Sequence, residues 1–425
     1  MARKATTLYV MLILLLTLVG IGAEARRASR PSYYFWTSKG SIIKIKPKYG
    51  RQLMPDRPIE KTSGNKLLLF SNSPETLSEE ELPALLYRAE ARGRFRVLLH
   101  HQNKLGRNAR INLVFTNKSP RRKILKVGKS SNCRIDGNGT PRYSTETISS
   151  DPAIAGRNAF IRWLTEEAGQ YGETDLPPGE KRVLSFPFRN NATLSSMTDF
   201  RVCYDDGKDA DALVEVCATG VGVDAERLDL SKMRSVPDPV SMSGDSSRIR
   251  GMFDYTELRA CFTYRLSEVS YSEIGSAVDG MYSSCNPGEY RESLFSKELY
   301  MQKNSGNFGI CYEITLRIIN DLDADANAVV MASAAGGRSL VILKELEGAG
   351  GRSGSENGDI YFADTVMSSS YGMHDAWIFD IVKIEKGGVA EKRYMYTLPC
   401  GCNGPVRFYA IASSRLNDIM ITSQK

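Results

Sequence analysis

Histidine is scarce. The chain has three in 425 residues, namely His100, His101 and His374. None of its cysteines forms a C-x-x-C pair, so a Cys/His zinc site of ordinary spacing has little to be built from. No G-x-S-x-G occurs, which removes the nucleophile-elbow route to serine hydrolysis. The glycine-rich run 348–358 (GAGGRSGSENG) begins like a dinucleotide loop but is not followed by a helix, so that reading fails on context. The strand–helix alternation of a parallel sheet is missing, and no internal repeat at a fixed period is visible. Beyond residue 21 no segment is apolar for long enough to span a bilayer.

What is present begins with a leader. Arg3 and Lys4 precede an apolar run from Leu8 to Ile21, and Ala23-Glu24-Ala25 closes it, the pattern of a secretory signal peptide over residues 1–25. Export favours disulfides among the eight cysteines. The pair that local sequence suggests is Cys203 with Cys217, facing each other across a hairpin turned by DDGKDAD. Charge is uneven: residues 26–130 carry 24 Lys/Arg against 7 Asp/Glu, and the remainder of the mature chain is acidic. A solvated basic face and attachment to an anionic surface both fit this pattern. Lys44, Lys46, Lys48, Arg51, Arg121, Arg122 and Lys123 are the candidate contacts for such a surface.

The organising stretch is Arg94–Asn117, where Arg96–His101 and Ile111–Thr116 alternate as strands around a polar turn and read as a β-hairpin. Short strands and polar turns recur throughout, which predicts a mainly β protein of two β-sandwich-like domains. The expected organisation is a basic arm with one strand (26–60), a first sandwich (61–230), a Pro/Ser-rich linker (231–247) and a second sandwich (248–425). One amphipathic helix is expected at 153–167 in the first sandwich, capped by Asp151 with Pro152 in its first turn, covering a sheet edge or a sandwich end. A short helical turn is expected at 79–86.

Few residues suggest chemistry. On a strand, His100 and His101 point to opposite faces, one toward the core and one toward solvent, so they do not share a metal. His374-Asp375 is an acid–base pair only by adjacency. Asp321, Asp323, Asp325 and Asn327 form D-x-D-x-D-x-N, a calcium-loop spacing, but Ala326 and Ala332 stand where such a loop has glycine and glutamate, so a polar turn competes with the metal reading. Calcium is therefore the one cofactor under consideration, and no catalytic residue is assigned.

Several phrases together, among them LLLFSNSPETL (67–77), RFRVLLHHQN (94–103), AGRNAFIRWL (155–164), NSGNFGICYEITL (304–316) and LPCGCNGPVRFY (398–409), resemble uncharacterised secreted bacterial proteins sometimes found with copper-amine-oxidase-like stalk repeats. The resemblance implies an extracytoplasmic β-rich protein and brings no catalytic residues with it. The expected function is that of a secreted, non-enzymatic binding or structural protein of the cell envelope or exterior. Its partner would be an anionic envelope polymer, with self-association also in view and nucleic acid excluded by export. Two other classes stay open: an enzyme on polysaccharide or peptidoglycan, which needs paired carboxylates across a cleft, and a calcium-dependent adhesion or assembly module.

Overall fold

The computed structural model describes residues 41–421, except 47–48, 79–81, 136–139, 166–171, 236–249, 276–285, 291–292, 295–303, 305, 347–359, 364–365 and 371–372. The leader, the first part of the basic arm, Lys48 and Cys285 therefore lie outside the described residues.

In chain order, β1 (Ile42–Ile45), β2 (Arg51–Leu53) and β3 (Glu60–Lys61) lead into β4 (Leu67–Ser71), β5 (Thr76–Ser78), β6 (Ala84–Arg92), β7 (Arg94–Lys104), β8 (Ala109–Thr116) and β9 (Lys123–Ser130). A small ribbon of β10 (Cys133–Ile135) and β11 (Pro141–Tyr143), then β12 (Ile148–Ser149), precede helix α1 (Pro152–Thr165). Next come β13 (Glu173–Leu176), β14 (Lys181–Phe188), β15 (Thr193–Tyr204), β16 (Asp211–Gly220), β17 (Arg234–Ser235) and β18 (Arg250–Phe253). The remainder is β19 (Glu257–Arg265), β20 (Ser270–Ile274), β21 (Cys311–Ile319), β22 (Ala326–Ala334), β23 (Ile342–Leu346), β24 (Ile360–Phe362), β25 (Ser369–Ser370), β26 (Met373–Ile384), β27 (Val389–Tyr396), β28 (Val406–Ala412) and the one-turn helix α2 (Leu416–Ile419).

These strands make two sandwiches. In the first, the order β13-β9-β15-β7-β4-β18 faces β14-β8-β16-β6-β17; in the second, β24-β23-β27-β21-β19-β3 faces β1-β26-β22-β28-β20-β2. Alternation explains the first core. Phe95, Val97 and Leu99 of β7 and Ile111, Leu113 and Phe115 of β8 all point inward and are buried, each contributing roughly 1.5–3 kcal/mol of apolar burial. The two strands do not pair as a hairpin, however. β7 lies in one sheet and β8 in the other, with the Phe95 and Phe115 rings 6.3 Å apart across the core. The same holds from β6 to β9 and from β14 to β16: each turn is an arch that carries the chain to the opposite sheet.

Strand order, polarity and connectivity are the same in both sandwiches. β4, β6, β7, β8, β9, β14, β15 and β16 correspond to β19, β20, β21, β22, β23, β26, β27 and β28. Both the β4–β7 pair and its counterpart β19–β21 are parallel, among otherwise antiparallel long-strand neighbours. The match extends to single side chains. Asn103 at the end of β7 donates to the carbonyls of Arg107 and Phe188 (3.0 and 2.8 Å) and accepts from Leu105 N–H (2.9 Å). Asn320 at the end of β21 donates to Ala324 and Ile384 (2.9 Å each) and accepts from Leu322 N–H (3.2 Å). A repeat therefore exists where none is visible at a fixed period. Its spacing is uneven because the connection from β20 to β21 is longer than that from β6 to β7, while the connection from β9 to β14, which carries α1, is longer than that from β23 to β26.

The edge strands are exchanged between the repeats. β2 and β3, from the start of the chain, pair with β20 and β19 of the second sandwich. β17 and β18, from the middle of the chain, pair with β6 and β4 of the first. β1 pairs with β26. The segment read as an arm with one strand thus supplies three strands to the second sandwich, and the segment read as a linker includes one strand of the first. Each sandwich is completed by strands that precede the other.

Candidate functional site: the seam between the sandwiches and the arch tips

The outer face of the β7 sheet, where one histidine was expected to meet solvent, is covered. Helix α1 packs on β15 and β9 and reaches β23 of the second sandwich, burying Ala153, Ala155, Gly156, Ala159, Phe160, Ile161, Trp163 and Leu164. Asp151 caps it through Ala153 N–H at 2.9 Å and pairs with Arg338 of the second sandwich. Gly156 is required by the closeness of that approach, since a Cβ there would lie 2.0 Å from the Cys400 carbonyl oxygen. The helix is a wedge between the sandwiches.

Beneath the wedge lies a charged seam. Arg96 is fully buried. Its Nε donates to Asp199 Oδ1 at 2.7 Å, and its Nη1 donates to the Thr256 and Gly309 carbonyls of the second repeat at 3.1 and 2.9 Å. Lys66 Nζ sits 2.7 Å from the other Asp199 oxygen and 3.5 Å from Glu257. Although burial opposes ionisation, Arg96 and Lys66 hold Asp199 below the usual carboxylate range. The Arg96 guanidinium also lies 4.4 Å from the Trp163 ring centre and Lys129 Nζ 4.3 Å from it, within cation–π range.

Both histidines next along β7 are enclosed, which corrects the expectation that one meets solvent. His101 Nδ1–H donates to the Pro74 carbonyl at 2.8 Å, and its Nε2 accepts from Ser71 Oγ at 3.0 Å. Among the described residues, neither ring nitrogen of His100 has a hydrogen-bond partner, and neither does Oγ of Ser195 directly across the strand pair. The nearest carboxylate, Glu75, is 3.9 Å from His100 Nε2. Burial lowers His100 to about 3, with His101 adding to the effect, and burial lowers His101 to about 4.

The remaining sequence candidates disperse. Cys203 and Cys217 are free and lie in different sheets, because the turn between β15 and β16 opens into an arch; the hairpin geometry that suggested their bridge does not form. Asp375 accepts from Ser368 N–H at 2.8 Å and pairs with Lys44, rather than orienting His374. Asp321 accepts from Ser267 N–H and Oγ at 2.9 and 2.6 Å. Asp323 lies 3.6 Å from Lys386, and Asp325 lies 3.8 Å from Lys383. With Asn327 on β22 opposite Lys383, the acids of this arch are shared out among separate partners instead of converging. No group of three or more His, Cys, Asp or Glu among the described residues is placed to hold a metal.

The basic contacts meet acids from the rest of the chain. Lys44 pairs with Asp375, Arg51 with Glu268 (3.0 Å), Arg121 with Asp205 and Asp206 (3.7 and 3.8 Å) and Arg122 with Asp175. Lys123 is buried and donates to the Asp211 carbonyl at 2.6 Å. Lys46 donates to the Asp418 carbonyl at 2.9 Å. Part of the positive charge of residues 26–130 is therefore met by acids among the described residues. Other cations are left over among the described residues, Arg92, Arg94 and Arg317 among them, and four gather at one tip. Lys104, Arg107 and Arg110, on the arch from β7 to β8, and Arg189, after β14, are exposed and have no ion pair among the described residues. The two loops are tied together by Asn190 N–H to Asn108 Oδ1 at 3.0 Å. Sequence reasoning missed this tip because nothing in the chain marks which cations lack an acid across the sheet. Arg96, Lys129 and Trp163 were missed because they meet only in three dimensions.

No family model and no curated protein matches the chain. Solved structures similar to it include the PBSX exported protein XepA, at 8% identity over 77% of this chain and 86% of that one, with a TM-score of 0.17. Another is the N-terminal CBM22-1–CBM22-2 tandem of Paenibacillus barcinonensis Xyn10C, at 9% identity over 83% and 91%, with a TM-score of 0.14. Similarities at this level carry neither fold nor function from those proteins to this one.

Proposed function

We propose that the protein is an exported, non-enzymatic binding protein that holds an anionic polymer of the cell envelope against the arch tip of Lys104, Arg107, Arg110 and Arg189. One observation carries this reading: on two loops tied together, four exposed cations have no ion pair among the described residues, while Lys44, Arg51, Arg121 and Arg122 are matched by the chain's own acids. Export rests on the leader at residues 1–25. Near an anionic surface each Lys or Arg contributes roughly 1 kcal/mol, so four in one tip give useful but salt-sensitive attachment. The test is sedimentation of the mature protein with isolated envelopes at low and high salt. The wild type should pellet at low salt and be released at high salt. The K104A/R107A/R110A/R189A variant should stay in the supernatant, while a K44A/R51A control still pellets. A quadruple variant that pellets like the wild type overturns the assignment.

A further inference from the structure

We propose that the mouth of the seam binds a phosphate- or sulfate-type oxyanion between Lys129 of the first sandwich and Lys344 of the second, beside the Trp163 indole. Helix α1 packs against both β9, which carries Lys129, and β23, which carries Lys344; Lys129 and Arg96 both lie against the Trp163 ring, and Arg96 and Lys66 bind the carboxylates Asp199 and Glu257. The carboxylates are already occupied by Lys66 and Arg96. Lys129 and Lys344 have no ion pair among the described residues, and both are partly buried. The neighbouring Glu345 is taken by Lys392 at 3.1 Å and Tyr361 at 2.7 Å. The Cys311 thiol is raised by its burial and brings no compensating charge.

Packing two uncompensated ammonium groups from different sandwiches into one partly dry place is unfavourable for each. Burial lowers Lys129 to about 8, with Lys344 the next contributor, and burial lowers Lys344 as well. An anion of one or two charges between them reverses the sign of that interaction. A further donor is at hand, since Trp163 Nε1–H is buried and has no acceptor. The Arg96 guanidinium that lies 4.4 Å from the indole also binds two carbonyls of the second repeat, so the site exists only while the sandwiches are docked. This site is separate from the exposed tip and does not depend on the envelope reading.

The experiment compares the melting temperature of the mature protein in inorganic phosphate, in dimethyl phosphate and in chloride at matched ionic strength. Bound anion raises Tm by mass action. A rise in phosphate alone assigns a free or terminal phosphate; a rise in both dimethyl phosphate and phosphate assigns the diester group of a polymer. K129M and K344M should each lose the phosphate response while melting higher than the wild type in chloride, because a repulsion has been removed. R107A should keep the response, which separates this site from the tip. In parallel, acetylation of Lys129 in the wild type, followed by peptide mass mapping, should slow in phosphate relative to chloride. Equal Tm values in all three salts with unchanged Lys129 acetylation overturn the proposal.

Discussion

The two sandwiches share a frame and differ in what they do with its outer face. Equivalent positions on β7 and β21 are Arg96 and Glu313, Leu98 and Thr315, and His100 and Arg317, by the registers that place Phe95 opposite Phe200 and Tyr312 opposite Tyr396. In the first sandwich this face is dry and meets the other repeat. In the second it stays wet: Glu313 accepts from Arg259 at 3.2 Å and pairs with Arg393, and Arg317 is exposed. The arch tips diverge in sign as well, basic at Lys104–Arg110 and acidic at Asp321–Asp325. The two sandwiches are two versions of one scaffold, and the face that stays solvated in the second is buried in the seam in the first.

The comparison predicts its own largest asymmetry. Arg96→Met removes a buried cation that binds Asp199 and two carbonyls of the other repeat, and should lower unfolding stability by about 3–5 kcal/mol. The equivalent Glu313→Gln, on the partly exposed face, should cost less than about 1 kcal/mol. Urea unfolding of both variants checks this. Equal losses would mean that the seam does not hold the sandwiches together.

Next in size is the effect of acid. In the folded chain His100 and His101 titrate far below the ordinary histidine value of 6.5, so the unfolded chain takes up protons first and stability falls as the pH drops below about 6.5. The loss continues until the folded values near 4 and 3 are passed, and is on the order of 4 kcal/mol for His100 alone. His100→Leu should flatten this slope. It should also stabilise the protein at pH 7 by about 1 kcal/mol or more, because two unsatisfied buried nitrogens are removed. Arg317→Leu at the equivalent wet position should leave the slope unchanged. Chemical unfolding at a series of pH values measures all three, and a wild-type slope retained in the His100 variant would refute the buried-histidine account.

Much of this was legible in the chain. The alternation of Phe95, Val97 and Leu99, and of Ile111, Leu113 and Phe115, marks strands with one apolar face, and Asp151-Pro152 marks the start of the helix. Which sheet a strand joins was not legible, because a period of two looks the same in a hairpin and in an arch; the proposed Cys203–Cys217 bridge depended on that choice. β6 was also missed. The helical turn expected at 79–86 has its first residues, 79–81, outside the described residues, and its last three, 84–86, open β6. The outer half of β6 alternates, with Ala89 and Ala91 inward and Arg88, Glu90 and Arg92 outward. The basic first third resisted reading because its acids lie far along the chain: Lys66 and Arg96 meet Asp199, and Lys44 meets Asp375. Regional net charge reports on a surface only where pairing is local.

The smallest predicted effect tests whether equivalent arches in the two sandwiches are locked alike. Asn103 and Asn320 each bind the carbonyl four residues on, the amide two residues on, and the last carbonyl of the strand facing the arch. Their backbones are matched too, with Asn103 exchanging hydrogen bonds with Asn191 and Ala192, and Asn320 with Gly387 and Gly388. If these are two copies of one device, Asn103→Ala and Asn320→Ala should each destabilise by about 1–3 kcal/mol, the range for orphaning buried partners. The two losses should agree within about 0.5 kcal/mol and add in the double variant, since the sites share no partners. A large loss at Asn103 with none at Asn320 would show that the second arch is held instead by its acids, through Asp321 with Ser267 and Asp325 with Lys386 N–H. In that case the acidic tip, and not the asparagine, would be the lock of the second arch.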